Sequence, residues 1–192
     1  MGMEYERKFA ATPDLVERMQ KELGGVWTEY RMQTTYYDTQ DGALSARKWM
    51  LRHRLENDHH VCTLKTPAGD ARCEWEVTAE RIEDGIEALC ELDVPAQLRA
   101  LTQGGVQPVC GAQFLRLATT LTLDGAEVEV ALDRGILFAQ ARTEPLCEVE
   151  VELKSGCREA ADGFADCLAK TYGLQTMTKS KFKRALALKE QV

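Results

Sequence analysis

At 192 residues, with 44% hydrophobic and 29% charged side chains, the chain has the composition of a soluble domain large enough for a real core. No apolar run approaches the roughly 20 residues of a membrane-crossing helix. The net charge of −7 speaks against a protein that coats nucleic acid, although it leaves room for a local basic cluster that binds a small polyanion.

The start, MGMEYERKFAATP, has no basic segment followed by an apolar one, so a signal peptide is not expected and the location is read as cytoplasmic. The seven cysteines fit that reading. Cys62, Cys73, Cys90, Cys110, Cys147, Cys157 and Cys167 are scattered and form no C-x-x-C pair, so they read as reduced thiols rather than zinc ligands.

In chain order, a first strand is expected over 3–9. ATPDLVERMQKELGG follows as a helix, with Thr12 as cap, Pro13 in the first turn and Gly24-Gly25 as stop. VWTEYRMQTTYYDTQDG is β-branched and aromatic and ends in a turn that Asp38 and Thr39 help shape. ARKWMLRHRLE reads as a strand, with Trp49, Leu51, His53 and Leu55 on one side and Lys48, Met50, Arg52 and Arg54 on the other. HHVCTLKTPAGDARCEWEVTAE reads as a hairpin turning near Pro67 and Gly69, with His59 and His60 exposed beside the preceding turn. Residues 83–104 read as two helical pieces split near Pro95. Strands are expected over 110–123, 126–133, 136–142 and through CEVEVELK, then a helix over 159–172 closed by Gly173. The fold class is α+β.

The strands share a pattern. Glu4, Glu6 and Lys8 alternate with apolar neighbours, as do Glu148, Glu150, Glu152 and Lys154, and as do Glu127, Glu129 and Asp133. A solvent face mixes Ser, Thr and Asn among its charges, whereas these parities are almost purely ionic, with acidic rows beside basic ones. Such strands suit a sheet curled polar side inward around a wet lumen, because burying these ions unpaired costs several kcal/mol each. His53, Trp49 and Trp75 fall on the apolar parity and read as outer packing. Carboxylate rows hold a hard divalent cation through oxygen. Lys and Arg rows hold phosphate. A lumen with both suits a metal–polyphosphate complex.

The same residues carry a resemblance. EYERKF resembles the ExExK signature of the CYTH superfamily, the triphosphate tunnel metalloenzymes. YYDTQDGALSARKWMLRHR, TLKTP, RCEWE, CEVEVELKSG and KSKFKRAL resemble that family's later elements in the family's order. EPLCEVEVELKSG is most similar to the bacterial inorganic triphosphatase branch. The resemblance implies a closed eight-stranded antiparallel barrel, a charged tunnel open to solvent with helices packed outside, over a single domain spanning 1–192. It implies metal-dependent hydrolysis of tripolyphosphate to phosphate and pyrophosphate, with Mg²⁺ or Mn²⁺ as cofactor.

Carried over by position, Glu4, Glu6, Glu148 and Glu150 are the expected metal ligands. Lys8, Arg52, Arg54, Lys65, Arg116, Lys181 and Arg184 are the expected phosphate contacts, and Lys8, Glu150 and Glu152 the expected catalytic groups. Glu74, Glu76, Glu127, Glu129, Asp133 and Lys154 are expected to line the tunnel, while Lys183 and Lys189 read as solvated. The alternatives are an adenylate cyclase or a nucleoside or thiamine triphosphatase of the same superfamily, and, in another class, a non-catalytic polyphosphate or nucleotide sensor. The partner is a small polyanion, not nucleic acid or membrane. A homodimer is compatible with an apolar outer face.

Overall fold

A computed structural model describes residues 2–189. The chain forms β1 (Gly2–Glu4), β2 (Glu6–Ala10), α1 (Pro13–Glu22), β3 (Thr28–Asp38), α2 (Ala43–Ala46), β4 (Met50–Glu56), β5 (His59–Ala68), β6 (Ala71–Thr78), α3 (Ile82–Cys90) and α4 (Gln97–Thr102). There follow β7 (Gln107–Leu123), β8 (Ala126–Ala139), β9 (Arg142–Gly156), α5 (Arg158–Tyr172), β10 (Gln175–Thr176) and α6 (Lys181–Ala187). No helix among the described residues is long and apolar enough to cross a membrane.

All ten strands belong to one antiparallel sheet, ordered β1-β6-β5-β4-β3-β7-β8-β9-β2-β10. The expected count of eight is corrected in two places. The first strand breaks at Tyr5: its opening half pairs with β6, Glu4 opposite Arg72, and its second half with β9, Lys8 opposite Glu150. The two-residue β10 adds to the edge of β2. One short segment, Gly2–Ala10, therefore touches both flanks of the curled sheet.

Other boundaries moved for local reasons. The segments expected at 126–133 and 136–142 are one strand, β8, because Gly135 does not break it. A Cβ there would lie 2.1 Å from the Gln113 carbonyl oxygen, so glycine is what lets β7 and β8 pass this closely. β4 begins at Met50 rather than Ala46, since the residues before it form α2. Asp38 organises that turn: its Oδ1 accepts from the backbone of Thr39 (2.8 Å) and Leu44 (2.9 Å), and its Oδ2 from Ser45 (3.1 Å). Lys48 closes the turn with φ 59° and lies off the strand. The α1 cap is as expected, Thr12 Oγ1 accepting from Leu15 N at 3.3 Å.

Alternation sorts the side chains. The outer face is apolar and carries most of the helices. α1 and α5 cover Phe9, Val130, Leu132, Val149 and Val151. α3 and α4 cover Leu51, Leu64 and Trp75, and Trp75 spends its indole N–H on Asp93 at 2.9 Å. His53 packs on this side with Nε2 3.1 Å from the Ala79 carbonyl, and His60 stacks on it rather than standing free. His59, Lys183 and Lys189 are exposed.

The expectation that every helix lies outside fails at α6. Its Phe182, Ala185 and Leu188 pack with Met32, Tyr36, Cys110, Ala112, Phe114 and Leu146. These residues share the parity of the inward charges, so α6 sits within the curl and occupies one end of it. The Phe182 and Tyr36 ring centroids lie 5.1 Å apart.

Candidate active site: a charged lumen

The ionic parities point inward, onto a cavity of about 280 Å³. Beneath its wall at the α6 end lies an acidic layer. Register sets Asp133 of β8 opposite Glu148 of β9, with Glu150 two residues on. One carboxylate oxygen from each lies within 4.8 Å of the others. α6 supplies the compensating charge. Ser180 caps it, accepting from Lys183 N at 3.3 Å, and thereby sets Lys181 in its first turn, aimed at the acids. Lys181 Nζ lies 2.7 Å from Asp133 and 2.8 Å from Glu150, and also contacts Glu148. A cation in a first helical turn opposes the helix dipole; three carboxylates offset that.

Arg116 of β7 adds a bidentate grip on Asp133, 2.8 Å through Nε and 2.8 Å through Nη2, and reaches Glu150 at 2.5 Å. Arg184, one turn after Lys181, bonds Glu148 at 2.8 Å and Glu144 at 2.7 Å. Burial pushes the Glu150 carboxyl up, but Lys181, Lys8 and Arg116 outweigh it and hold the group well below the usual range. Asp133 is held down in the same way against burial by Arg116 and Lys181. Glu148 comes out the other way: burial and the neighbouring Glu150 charge leave it raised despite Lys181.

The walls are paired ions. Lys8 lies 2.8 Å from Glu6 and 2.9 Å from Glu150. Lys65 of β5 lies 2.5 Å from Glu4 and 3.0 Å from Glu74. Arg52 of β4 bonds Thr63 Oγ1 at 3.1 Å and pairs with Glu76 at 3.3 Å and Glu74 at 3.6 Å. Arg54 is less well matched. It donates to Thr34 Oγ1 at 2.9 Å and has one carboxylate, Glu56, at 3.2 Å. Burial, then the neighbouring Arg52 and Arg116, depress its proton affinity, whereas against burial Arg52 is raised by Tyr36, Glu74 and Glu76, and Arg116 by Asp133 and Glu150. Around Arg54 positive charge outruns negative.

Along β9 the side chains open toward solvent: Glu148 is 0% exposed, Glu150 8%, Glu152 24% and Lys154 42%. This gradient runs from the α6 end to an open mouth. At the mouth Lys154 pairs with Glu152 at 3.0 Å. Burial, opposed by Lys154 and reinforced by Glu4 and Glu129, leaves the Glu152 carboxyl raised.

Of the expected site residues, the cavity wall gathers Glu4, Glu6, Lys8, Arg52, Arg54, Lys65, Glu74, Glu76, Arg116, Glu129, Glu150, Glu152, Lys154 and Lys181. Four are placed elsewhere. Asp133 and Glu148 lie beneath the wall, covered by Lys181 and Arg116, and Arg184 supports Glu148 outside the cavity lining. Glu127 is exposed and off the wall, near the start of β8 where the β8–β9 register shifts. Sequence reasoning passed over Arg72, which lines the cavity opposite Glu4; its parity with Glu74 and Glu76 was the available signal. It also passed over Tyr30, Met32, Tyr36 and Phe182, whose apolar character hid their inward orientation.

The donor set suits a hard divalent cation. The acidic groups are all carboxylates, and one oxygen, Glu4 Oε2, is buried with no hydrogen-bond partner among the described residues. Lys65, Lys8 and Arg52 hold the Glu4 carboxyl below its usual range despite burial, so it is an anion with a free lone pair facing the lumen. The wall carries eight basic and eight acidic side chains, close to neutral as a set. A bare polyphosphate would leave such a lumen strongly negative, so a divalent cation is the natural companion of that ligand.

The CYTH domain pattern matches residues 2–186. The chain is 28% identical over 207 residues to an inorganic triphosphatase of Haemophilus influenzae, covering 98% of this chain and 55% of that relative, so it spans about half the relative's length. The fold is similar to a Bacillus halodurans protein proposed to be an adenylate cyclase (TM-score 0.65, 20% identity, 96% of this chain and 98% of that one). It is also similar to HpAC1 of Hippeastrum, a candidate adenylyl cyclase described as having a dominant triphosphatase activity (TM-score 0.66, 17% identity, 97% and 96%).

Proposed function

The chain belongs to the CYTH domain family, and from that premise we propose that it hydrolyses inorganic triphosphate within its charged lumen, tripolyphosphate and water giving phosphate and pyrophosphate. The observation that carries the reading is the cationic excess at Arg54, set across one small cavity from carboxylates that include the unpartnered Glu4 oxygen. In the same reading Gly2–Ala10 is the seam that closes the sheet into a tunnel, β1 on β6 and β2 on β9. The cavity, about 280 Å³, has room for a small polyanion.

Arg52, Arg54 and Arg116 present guanidinium forks to phosphate oxygens, and Lys8, Lys65 and Lys181 present point charges. Lys65 and Lys8 hold Glu4 and Glu6, so phosphate oxygens that take up these ammonium groups free carboxylate oxygens for a divalent cation. Glu4 and Glu6 with Glu150 are the cavity-facing groups that would hold Mg²⁺ or Mn²⁺; Glu148 supports them from beneath. Such a cation supplies shielding of phosphate charge and polarisation of water. In this reading Glu152, near the mouth with its carboxyl raised by burial and by Glu4 and Glu129, holds the attacking water and takes its proton. Water oxygen bonds to a terminal phosphorus, the bridging P–O bond breaks, and the pyrophosphate leaves with the electron pair. Lys8, kept protonated by Glu150 and Glu6 against burial, neutralises that leaving charge.

The test is a panel of Mg²⁺ or Mn²⁺ with tripolyphosphate or ATP, assaying phosphate, pyrophosphate and cyclic AMP. Equal phosphate and pyrophosphate from tripolyphosphate is the expected result. Cyclic AMP as the main product from ATP assigns a cyclase, and tight binding of every triphosphate without turnover assigns a sensor.

A further inference from the structure

Glu4 and Glu6 are two residues apart, yet different neighbours place them: Glu4 rides on β6, opposite Arg72, and Glu6 on β9, opposite Glu152. Tyr5 alone joins them. Its carbonyl still accepts from Leu153 N of β9 at 3.0 Å, while its side chain turns to the outer face. There the Tyr5 hydroxyl donates to Asp162 Oδ1 at 2.7 Å. The Arg158 guanidinium lies 3.9 Å from the Tyr5 ring centroid. Arg158 also reaches Asp70 at the β5–β6 turn at 2.6 Å and Asp162 at 3.6 Å. Arg7 completes the set, 3.0 Å from Asp162 and 3.0 Å from Asp166. One cluster thus ties the β6 flank, the Tyr5 break, β2 and α5 together, directly behind the two carboxylates.

We propose that Arg158, acting through Tyr5 and Asp70, is a positioning residue that fixes the spacing of Glu4 and Glu6 and thereby sets the affinity of the lumen for a divalent cation. This rests on the metal-binding role assigned above to Glu4 and Glu6. Stability alone is a poor reason for the cluster: Arg158 is 45% and Asp70 68% exposed, and ion pairs so open to water contribute little to folding. Its geometric effect is larger, because the pairs that hold Glu4 (Lys65) and Glu6 (Lys8) each stay on their own flank, whereas Arg158 ties Asp70 on the β6 flank to Tyr5 and Asp162 across the seam.

The test is Mn²⁺ binding to the substrate-free protein, read from the electron spin resonance signal of free Mn²⁺, together with the melting temperature. Arg158→Ala is expected to weaken Mn²⁺ by about two- to five-fold, the most that an ion-pair cluster this exposed can couple to binding, with little change in melting temperature. Asp70→Asn, at the exposed turn, is expected to shift binding in the same direction by less, and Arg158→Lys to recover part of the loss through Asp70. In turnover the loss appears in the Mn²⁺ concentration giving half-maximal rate, while kcat at saturating metal is retained. Wild-type Mn²⁺ affinity in both Arg158→Ala and Asp70→Asn overturns the positioning role while leaving the metal site standing. A wild-type protein that binds no Mn²⁺ overturns the metal reading, and this inference with it.

Discussion

Arg116 holds Asp133 through two parallel hydrogen bonds, Nε to Oδ1 and Nη2 to Oδ2, each 2.8 Å long, with Asp133 fully buried. Lys181 approaches the same carboxylate at 2.7 Å. Asp133→Asn keeps the shape but leaves two buried cations short of a counter-charge. Removing one member of a buried ion pair costs about 3–5 kcal/mol, so urea unfolding is expected to show a loss of that size. A loss under ~1 kcal/mol would mean that water reaches this layer and solvates the two cations.

Glu4 and Glu150 both face the lumen, but they are embedded differently, and two variants should separate them. Glu150 is contacted by Lys8, Arg116 and Lys181, so Glu150→Gln should lower both turnover and melting temperature. Glu4→Gln removes one partner from Lys65, which keeps Glu74 at 3.0 Å, so the fold should stand. Metal-dependent phosphate release should nonetheless fall by about 10²-fold, the cost of losing one preorganised charge contact. Normal release by Glu4→Gln, measured at low Mn²⁺, would remove Glu4 from the site.

What was legible in the sequence followed from period. Strict alternation of Glu with Val in CEVEVELK leaves the strand no register but one with acids on one face, and the purity of that face pointed inward. The Thr12 and Gly173 helix boundaries were equally readable, since each rests on local chemistry. Three features were not, because they depend on tertiary contact. The break at Tyr5 exists because two strands compete for one segment. Gly135 looked like a stop until β7 was found pressed against it. And α6, short and basic, carried no mark of lying inside the sheet, because the apolar residues that receive it sit on strands whose inward parity elsewhere is ionic. For the same reason Arg184 could be assigned to the site but not to the layer beneath it.

The thiols offer a check on the packing independent of activity. Burial pushes Cys62 up to about 11 and Cys110 up to about 12, Cys62 with help from Asp84 and Glu83. The thiolate is the reactive form, and a raised value lowers its population at any pH beneath it. Native protein at pH 8 should therefore be labelled by an aromatic disulfide first at the exposed Cys157 and Cys167. Cys62 and Cys110 should react only on unfolding, or at rates that climb about ten-fold per pH unit while the pH stays below those values. Peptide mapping decides it: early label on Cys110 would mean that α6 opens freely from the end of the lumen, since Cys110 packs against Phe182.

Arg54 gives the sharpest separation of stability from function. It is buried, has one partly exposed carboxylate partner, and lies near Arg52 and Arg116, whose charges oppose its own. Arg54 therefore sits among charges of its own sign, and under the proposed function a bound phosphate would offset them. Arg54→Met keeps most of the volume and removes the repulsion. The carboxylate it leaves behind, Glu56, is 30% exposed and can hydrate once the guanidinium is gone, so the melting temperature of the free protein should hold or rise. Turnover should move the other way, with kcat/KM for tripolyphosphate falling by about 10²–10³-fold. Added tripolyphosphate should raise the melting temperature of the wild type by linkage and that of Arg54→Met by much less. If Arg54→Met melts well below the wild type while its kcat/KM is unchanged, Arg54 is a structural cation held by Glu56 and Thr34, and the phosphate site lies elsewhere in the lumen.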